Sequence, residues 1–304
     1  MEFFLNPHKA PPKFAKKSGH SHRHRLLSLI FHRLLRRKLS VSILTFNFAG
    51  IPLVTKHFLE RLHALPDEIL KVGADIVCFQ EIWLDQNKRF IIESLQERGY
   101  SYSYQGRSAP RLCGLLILSR FPIENEESVS LRPFFEGINL SLIESPGDKG
   151  YILVKVKVSG KQSFWLFNSH LSAHFGSEFK PQSKIYQAKL KELEKFSQKI
   201  RIMGKERIVV AGDLNLHPGT DPYHQFLKDS GLWDTEPKNQ PSQTVLKNIF
   251  KFPLPEVGRK VDYILTKNFP RKSLVQYRIL WQKPISRLGG YLSDHAGILV
   301  KLRI

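Results

Sequence analysis

The sequence predicts an α/β fold in which two layers of β-strands form the core and helices flank them. Short runs of β-branched and apolar residues, typical of buried strands, alternate with longer stretches that have helical apolar periodicity. The chain has 304 residues, 41% of them hydrophobic, so it can bury one large α/β core or two small ones. This composition excludes a chain that is disordered throughout.

Strands and helices alternate from residue 41 onward. The first two helices are predicted to stop at Gly73 and Gly99, because glycine readily adopts the left-handed conformation that ends a helix. A hairpin is predicted across Ser159, Gly160 and Lys161. The predicted strands are 41–47, 75–80, 100–105, 114–119, 151–158, 163–168, 208–211, 261–266, 274–281 and 296–302, and the predicted helices are 57–72, 86–98, 181–203 and 222–229.

The strand at 208–211 ends in the sequence Gly212-Asp213-Leu214-Asn215. While the backbone stays extended, Asp213 and Asn215 point to the same side, so we expect them to share one pocket. A carboxylate beside a neutral amide can hold a water molecule or a phosphate oxygen in a fixed orientation. The alternative is an Asx turn that simply terminates a core strand.

Polar, ionisable residues follow several other apolar runs in the same way. Loops held by rigid strands are where catalytic groups concentrate, so we expect these residues to converge at one edge of the sheets. Asp262 differs in that it precedes its apolar residues. The full set is Asn47, Glu81, His170, Asp213 with Asn215, Asp262, and Asp294 with His295.

Residues 1–40 are predicted to be a basic, His-rich arm. They hold ten Lys or Arg residues and one acidic residue, giving +9 of the net charge of +20 for the whole chain. The apolar residues of the arm fall at helical spacing at Leu27, Ile30, Phe31, Leu34 and Leu35. Such a stripe flanked by arginines is typical of an amphipathic helix on a membrane surface. A transit peptide and a helix docked on the folded domain are the alternatives, whereas the short apolar segment argues against classical export.

The arm and the remainder of the chain are both basic, which favours a polyanionic partner. Nucleic acid and an anionic membrane surface fit this charge equally well. Cys78 and Cys113 lie inside apolar runs, so we expect buried thiols. Because no apolar run reaches the length of a membrane span, we expect the bulk of the protein to be soluble. We also expect a monomer. Its expected location is membrane-associated or cytoplasmic, with secretion and organelle targeting left open.

Six motifs occur in a fixed order: Asn47, Gln80-Glu81, Asn168-Ser169-His170, Gly212-Asp213-x-Asn215, Asp262-Tyr263 and Ser293-Asp294-His295. This ordered set resembles that of the endonuclease/exonuclease/phosphatase superfamily. The resemblance covers residues 41–304, and it implies a four-layer α/β sandwich and a metal-dependent phosphodiesterase domain.

Within that superfamily the sequence is most similar to the neutral sphingomyelinases. The similar stretches are His170–Ala173, Gly212–Pro218, Arg259–Leu265, Leu292–His295, the helix at 182–193, and Asp148-Lys149-Gly150. Residues 125–147 do not follow the pattern. An aromatic hairpin of the kind that some secreted bacterial members insert into bilayers is also missing from the sequence.

Hydrolysis of an anionic phosphodiester needs a cation, a base that deprotonates water, and an acid or positive charge for the leaving oxygen. Glu81 is the predicted ligand for Mg²⁺, with Asn47 as a neutral partner and Asp294 in the same metal set. Other divalent cations fit these ligands too. His295 is the predicted general base, oriented by Asp262 through its second ring nitrogen.

The remaining residues are assigned to the phosphate and the attacking water. Asp213 and Asn215 are expected to hold both. His170 is expected to donate to a phosphate oxygen or to the leaving group. The resemblance places Lys149 beside the phosphate, and a solvated turn charge is the alternative for it.

The leading functional prediction is hydrolysis of sphingomyelin or a related phospholipid to release the phosphorylated headgroup. A Mg²⁺-dependent nuclease of the same superfamily is the alternative, because the charge suits it equally well. A non-catalytic module that binds membranes or nucleic acid is a third class. It is disfavoured because binding alone requires neither Glu81 nor two histidines.

Overall fold

The structure is a computed structural model that describes residues 39–106, 113–131, 148–173, 181–238, 242–246, 249–251 and 259–304. The folded unit runs from Ser40 to Ile304. The predicted arm, apart from its last two residues, lies outside the described residues, so its helix stays a prediction.

Two six-stranded sheets make up the β-structure of the described residues. The strands are β1 (Ser40–Gly50), β2 (Ile76–Ile82), β3 (Tyr102–Gln105), β4 (Leu116–Ser119), β5 (Ile123–Ser130), β6 (Gly150–Ser159), β7 (Gln162–His170), β8 (Ile208–Asp213), β9 (Trp233–Asp234), β10 (Asp262–Lys267), β11 (Leu274–Leu280) and β12 (Gly297–Arg303). Sheet I has the order β11-β12-β1-β2-β4-β3, and sheet II has the order β5-β6-β7-β8-β10-β9. Each sheet is mixed, with one parallel pair at its centre, β1 with β2 and β7 with β8.

Four α-helices of the described residues lie against the outer faces of the sheets. They are α1 (Phe58–Val72), α2 (Asp85–Gln96), α3 (Lys184–Ile202) and α4 (Asp221–Ser230). The first ends as predicted, because Gly73 adopts φ +67° and its N–H donates to the Ile69 carbonyl. None of the helices in the described ranges has both the length and the apolar character needed to cross a membrane.

Alternation along the strands produces three apolar layers. Ile43 and Val209 point between the sheets, where they belong to the central cluster that the two sheets share. Their neighbours Leu44 and Val210 point outward, Leu44 toward the cluster that includes α1 and α2, and Val210 toward the cluster that includes α3 and α4. The predicted four-layer α/β sandwich is therefore confirmed.

The structure corrects several predicted boundaries near the strand ends. β1 does not stop at Asn47 but continues to Gly50, with a break in its register against β2 between these two residues. β2 likewise continues past Glu81 to Ile82. Strand β5 and the two-residue β9 were not predicted, and both lie at edges of sheet II.

Candidate active site

Strand register brings the predicted residues of sheet II to one edge. In that sheet His170 on β7 lies opposite Asp213 on β8, and Asp213 lies opposite Asp262 on β10. Lys149 immediately precedes β6, whose first residue pairs with His170. Each of these three residues, His170, Asp213 and Asp262, is at most 2% exposed. One edge of sheet II therefore carries a histidine, two carboxylates and an ammonium group.

Sheet I supplies the other half of the site from its parallel pair and from the start of β12. Asn47 is fully buried, and its Nδ2 donates to Glu81 Oε1 at 3.1 Å and, across the sandwich, to Asp213 Oδ2 at 3.0 Å. The Asn47 Oδ1 atom accepts from the Ala49 N–H. The structure thus places Asn47 as a hydrogen-bonded bridge between two carboxylates, and its predicted role as a metal ligand stays a prediction.

Glu81 is held in an uncommon backbone conformation. Its φ is +60°, which costs energy for a residue that is not glycine and is found most often at functional sites. The turn aims the side chain toward the second sheet, where Glu81 Oε1 lies 3.7 Å from His170 Nε2. The side chain is 17% exposed, so a solute can still reach this carboxylate.

The predicted pair of His295 and Asp262 is present and joins the two sheets. His295 Nδ1 lies 2.8 Å from Asp262 Oδ2. Burial lowers the pKa of His295, but the charges of Asp262, Asp294 and Asp213 outweigh burial and hold this pKa well above its ordinary value. The second carboxylate oxygen, Asp262 Oδ1, is buried and has no hydrogen-bond partner among the described residues.

Lys149 is buried against His170 and is not a solvated turn charge. Its Nζ lies 2.8 Å from His170 Nε2 and 5.6 Å from the centre of the Trp83 ring. Burial, together with the charge of Lys149, lowers the pKa of His170 well below its ordinary value. The positive charge at this end of the site therefore resides on Lys149.

Asn215 does not follow the extended geometry that was expected for it. Its φ is +47°, and its N–H donates to Asp213 Oδ1, which closes the Asx turn that was the alternative interpretation. Its side-chain Nδ2 donates to the Leu171 carbonyl next to His170. The turn begins after Gly212, where a Cβ atom would lie 1.9 Å from the Ser169 carbonyl oxygen, so only glycine fits between β7 and β8.

Asp294 lies in the loop before β12, which is tied to the end of β1. Ser293 Oγ donates to the Asn47 carbonyl at 2.7 Å and also contacts Asp294 Oδ1. Burial, and to a lesser extent the charge of Glu81, raises the pKa of the Asp294 carboxyl. All three predicted metal-set residues therefore lie at the same edge of sheet I.

A model of the endonuclease/exonuclease/phosphatase family matches residues 44–295, a range that contains every site residue described above. The chain belongs to this family. Among curated relatives, this chain is similar to the inositol phosphosphingolipids phospholipase C of Schizosaccharomyces pombe, with 28% identity over 62% of this chain and 44% of the relative. It is also similar to human sphingomyelin phosphodiesterase 2, with 26% identity over 75% of this chain and 56% of the relative.

Solved structures agree on the fold of this family member. The D. rerio TDP2 structure, complexed with a single-strand DNA product, superposes with a TM-score of 0.64 at 18% sequence identity, covering 87% of this chain and 99% of that one. At this identity the similarity concerns the fold alone. The chain spans about half the length of the two curated relatives named above.

Among the buried charges of the described residues that sequence reasoning missed is the guanidinium of Arg61 on α1. Arg61 is 1% exposed, and its five hydrogen bonds go to the Phe48, Ala49, Lys56 and Leu292 carbonyls and to Thr55 Oγ1. Burial lowers its pKa to about 10, and the charges of Asp294 and Glu81 oppose that change. The sequence does contain a signal for this burial. Arg61 lies three residues after Phe58 and four before Leu65, which places it on the apolar stripe of α1.

The Asp213 carboxyl gives a testable dependence of stability on pH. Burial, followed by the charge of Asp262, raises its pKa to about 7. The native carboxyl therefore keeps its proton to a higher pH than the unfolded chain does, and the free energy of unfolding falls as pH rises through this interval. We expect the stability of Asp213→Asn relative to the wild type to increase by on the order of 4 kcal/mol between about pH 4 and pH 8.

Urea unfolding of both proteins in chelator, at the two pH values, checks this expectation. The asparagine of the variant keeps an oxygen that can accept from Asn47 Nδ2, so the change with pH reports the titration of the Asp213 carboxyl. A stability difference that does not change with pH would contradict the raised pKa.

Proposed function

We propose that the chain is a divalent-cation-dependent phosphodiesterase of the neutral sphingomyelinase type. Its substrate in this proposal is sphingomyelin or a related phospholipid, from which it releases the phosphorylated headgroup. The observation that carries the proposal is the junction of the two sheets, where the His295–Asp262 pair, Glu81, Asp213 and the Lys149–His170 pair meet. The relatives named for phosphosphingolipid and sphingomyelin hydrolysis support the choice of a lipid.

The residues of the site suit a hard divalent cation. Carboxylate oxygens are the ligands such cations prefer, and Mg²⁺ needs only one or two of them because it keeps several waters. In this proposal Glu81 and Asp294 hold the cation, with Asn47 as the neutral member of the set. Burial raises the pKa of Asp294 and of Asp213, and neighbouring carboxylates add to this, so a nearby cation would stabilise the charged form of each group. The unpartnered Asp262 Oδ1 is a further oxygen in the same region.

Hydrolysis then depends on groups that the chain itself supplies. His295, oriented through Nδ1 by Asp262, takes a proton from the attacking water at Nε2. Asp213 and Asn215, joined by their Asx turn, orient that water and a phosphate oxygen. Lys149 places positive charge beside the phosphate, and His170 contacts the phosphate or the leaving oxygen. A bound cation adds Lewis acidity that polarises the phosphate.

Nuclease activity is the second candidate, because the net charge of +20 suits nucleic acid as well as it suits an anionic membrane surface. One experiment separates the two. Purified protein is incubated with sphingomyelin, with lysophospholipids and with plasmid DNA, each with Mg²⁺ and with chelator. Cleavage of sphingomyelin that requires Mg²⁺ supports the proposal. Cleavage of DNA alone would mean that the protein is a nuclease. Full activity in chelator would contradict the proposed requirement for a divalent cation.

The basic arm has a separate role in this proposal, which is to hold the enzyme at an anionic membrane surface. Each basic residue near such a surface contributes about 1 kcal/mol, and the apolar stripe adds to this. We expect deletion of residues 1–40 to weaken binding to anionic liposomes sharply and to leave hydrolysis of a detergent-dispersed substrate nearly unchanged. Co-sedimentation at two salt concentrations measures the effect, and equal sedimentation of both proteins would leave the arm as a targeting sequence or a simple tail.

A further inference from the structure

The segment between α1 and β1, the strand that carries Asn47, exposes leucine side chains. Leu53 is 85% exposed, the largest value among the exposed large hydrophobic residues in the described part of the chain, and Leu59 in the first turn of α1 is 61% exposed. Leu53 also has a φ of +72°, which is unfavourable for a leucine. A leucine held in this backbone conformation costs stability, and burial of its exposed side chain against a partner would offset that cost.

This segment, residues 51–59, is fixed at its base. Thr55 Oγ1 donates to the Ile51 carbonyl and accepts from Arg61 Nη2. The Lys56 N–H donates to the Ile249 carbonyl, and the Lys251 N–H donates to the Val54 carbonyl. Since these bonds hold both sides of the turn, Leu53 projects from a rigid support.

The guanidinium of Arg61 also connects residues 51–59 to the edge of sheet I that carries the predicted metal set. Arg61 donates to the Phe48 and Ala49 carbonyls directly after Asn47, and to the Leu292 carbonyl two residues before Asp294. Arg61 therefore joins the segment that carries the exposed leucines, through Thr55 and the Lys56 carbonyl, to backbone next to the predicted metal set. A surface that docks through residues 51–59 would present its molecules near this edge of the sandwich.

The charges near the exposed leucines identify the kind of surface. Lys56 and Lys251 are both exposed, and their backbones flank the turn that carries Leu53. Glu60 is the acidic neighbour, and it lies 3.8 Å from His57. Leucine at a tip with lysine on both sides is the chemistry of an interface between acyl chains and anionic headgroups.

We propose that residues 51–59 dock the catalytic domain on a phospholipid bilayer, with Leu53 and Leu59 entering the acyl boundary and Lys56 and Lys251 contacting anionic headgroups. The proposal rests on the proposed lipid substrate for its purpose, but docking itself does not require catalysis. It is also independent of the basic arm, which lies in another part of the chain.

The test measures binding of full-length protein, in chelator, to vesicles of phosphatidylcholine with a minority of phosphatidylserine. The variant is Leu53→Ser/Leu59→Ser. The matched control is Ile202→Ser, because Ile202 is 72% exposed but lies at the end of α3, on the opposite outer layer. We expect the double variant to bind vesicles roughly tenfold more weakly and the control to bind like the wild type. Both should hydrolyse a detergent-dispersed substrate at the wild-type rate.

A second variant tests insertion directly and does not depend on a loss of binding. In Leu53→Trp the added indole should show a blue-shifted, more intense emission when vesicles are added, whereas Ile202→Trp should not. Unchanged vesicle binding by the double variant, or no emission change for Leu53→Trp, would overturn the proposal. So would an equal loss of plasmid DNA binding by the double variant, which would assign residues 51–59 to nucleic acid. If the protein cleaves only DNA but its binding to vesicles depends on Leu53, the docking proposal stands and only the proposed lipid substrate is refuted.

Discussion

Replacement of Glu81 by glutamine is expected to lower turnover by about 10³-fold or more while the fold is retained. Glutamine keeps an oxygen that can accept from Asn47 Nδ2, so the contact at 3.1 Å survives. What disappears is the negative charge, and with it one of the two carboxylates proposed to hold the divalent cation. Loss of this charge also relieves the repulsion that raises the pKa of Asp294, so the cation-free protein should not be destabilised.

Steady-state hydrolysis at saturating Mg²⁺ and thermal unfolding in chelator measure the two halves of this expectation. Glu93→Gln on the exposed face of α2 is the matched control, since it makes the same chemical change far from any predicted ligand. The cation should raise the melting temperature of the wild type and of the control, but not that of Glu81→Gln. Wild-type turnover in Glu81→Gln would remove this residue from the metal set.

Loss of the His295–Asp262 pair is expected to have the second-largest effect. His295→Ala should lower turnover by about 10² to 10⁴, the usual range for a positioned acid or base. Asp262→Asn should come close to it, because an amide cannot hold the imidazole as strongly in the orientation given by the 2.8 Å contact. Since the two side chains act as one unit, the double variant should be scarcely slower than His295→Ala alone.

The pH dependence of turnover distinguishes this role from a merely structural one. Asp262→Asn should shift the acidic limb of the profile to lower pH, because a general base must be unprotonated and the Asp262 charge is among the groups that raise the pKa of His295. His224→Ala, at an exposed position on α4, is the control for removing a histidine. If Asp262→Asn matched the wild type in rate and pH profile, His295 would not depend on this carboxylate.

Most of the fold could be predicted because buried strands and amphipathic helices have strong periodic signals. The runs at Ile76 and Ile208 are apolar on both faces, as strands covered by helices on one side and a second sheet on the other must be. Strand β5 was missed because it is an edge strand with the sequence IENEESVS, whose exposed glutamates hide the alternation. Strand β9 has two residues and gives no periodic signal at all.

The site could be predicted as a set of residues, but the contacts within it could not. A polar residue that ends an apolar run is visible in the sequence, and parallel register then places Asn47 and Glu81 at one edge. Which atoms meet across the two sheets depends on how the sheets pack. The bridge from Asn47 to Asp213 and the burial of Lys149 against His170 result from that packing. The left-handed turn at Asn215 is local, yet an extended backbone and an Asx turn were equally compatible with its sequence.

The pairing of β1 with β12 also bears on when the candidate site can assemble during synthesis. Ser40 on β1 pairs with Arg303 on β12, so β1, which carries Asn47, cannot complete its pairing until the last strand of the folded unit is available. A nascent chain that has not yet released residues 294–303 from the ribosome holds Glu81 and Asp213 but neither Asp294 nor His295. Pairing between such distant segments is slow, and until it occurs β1 offers an apolar, unpaired edge to other chains. We therefore expect the candidate site to stay unassembled until β12 has emerged, and we expect a chaperone to matter most in that interval.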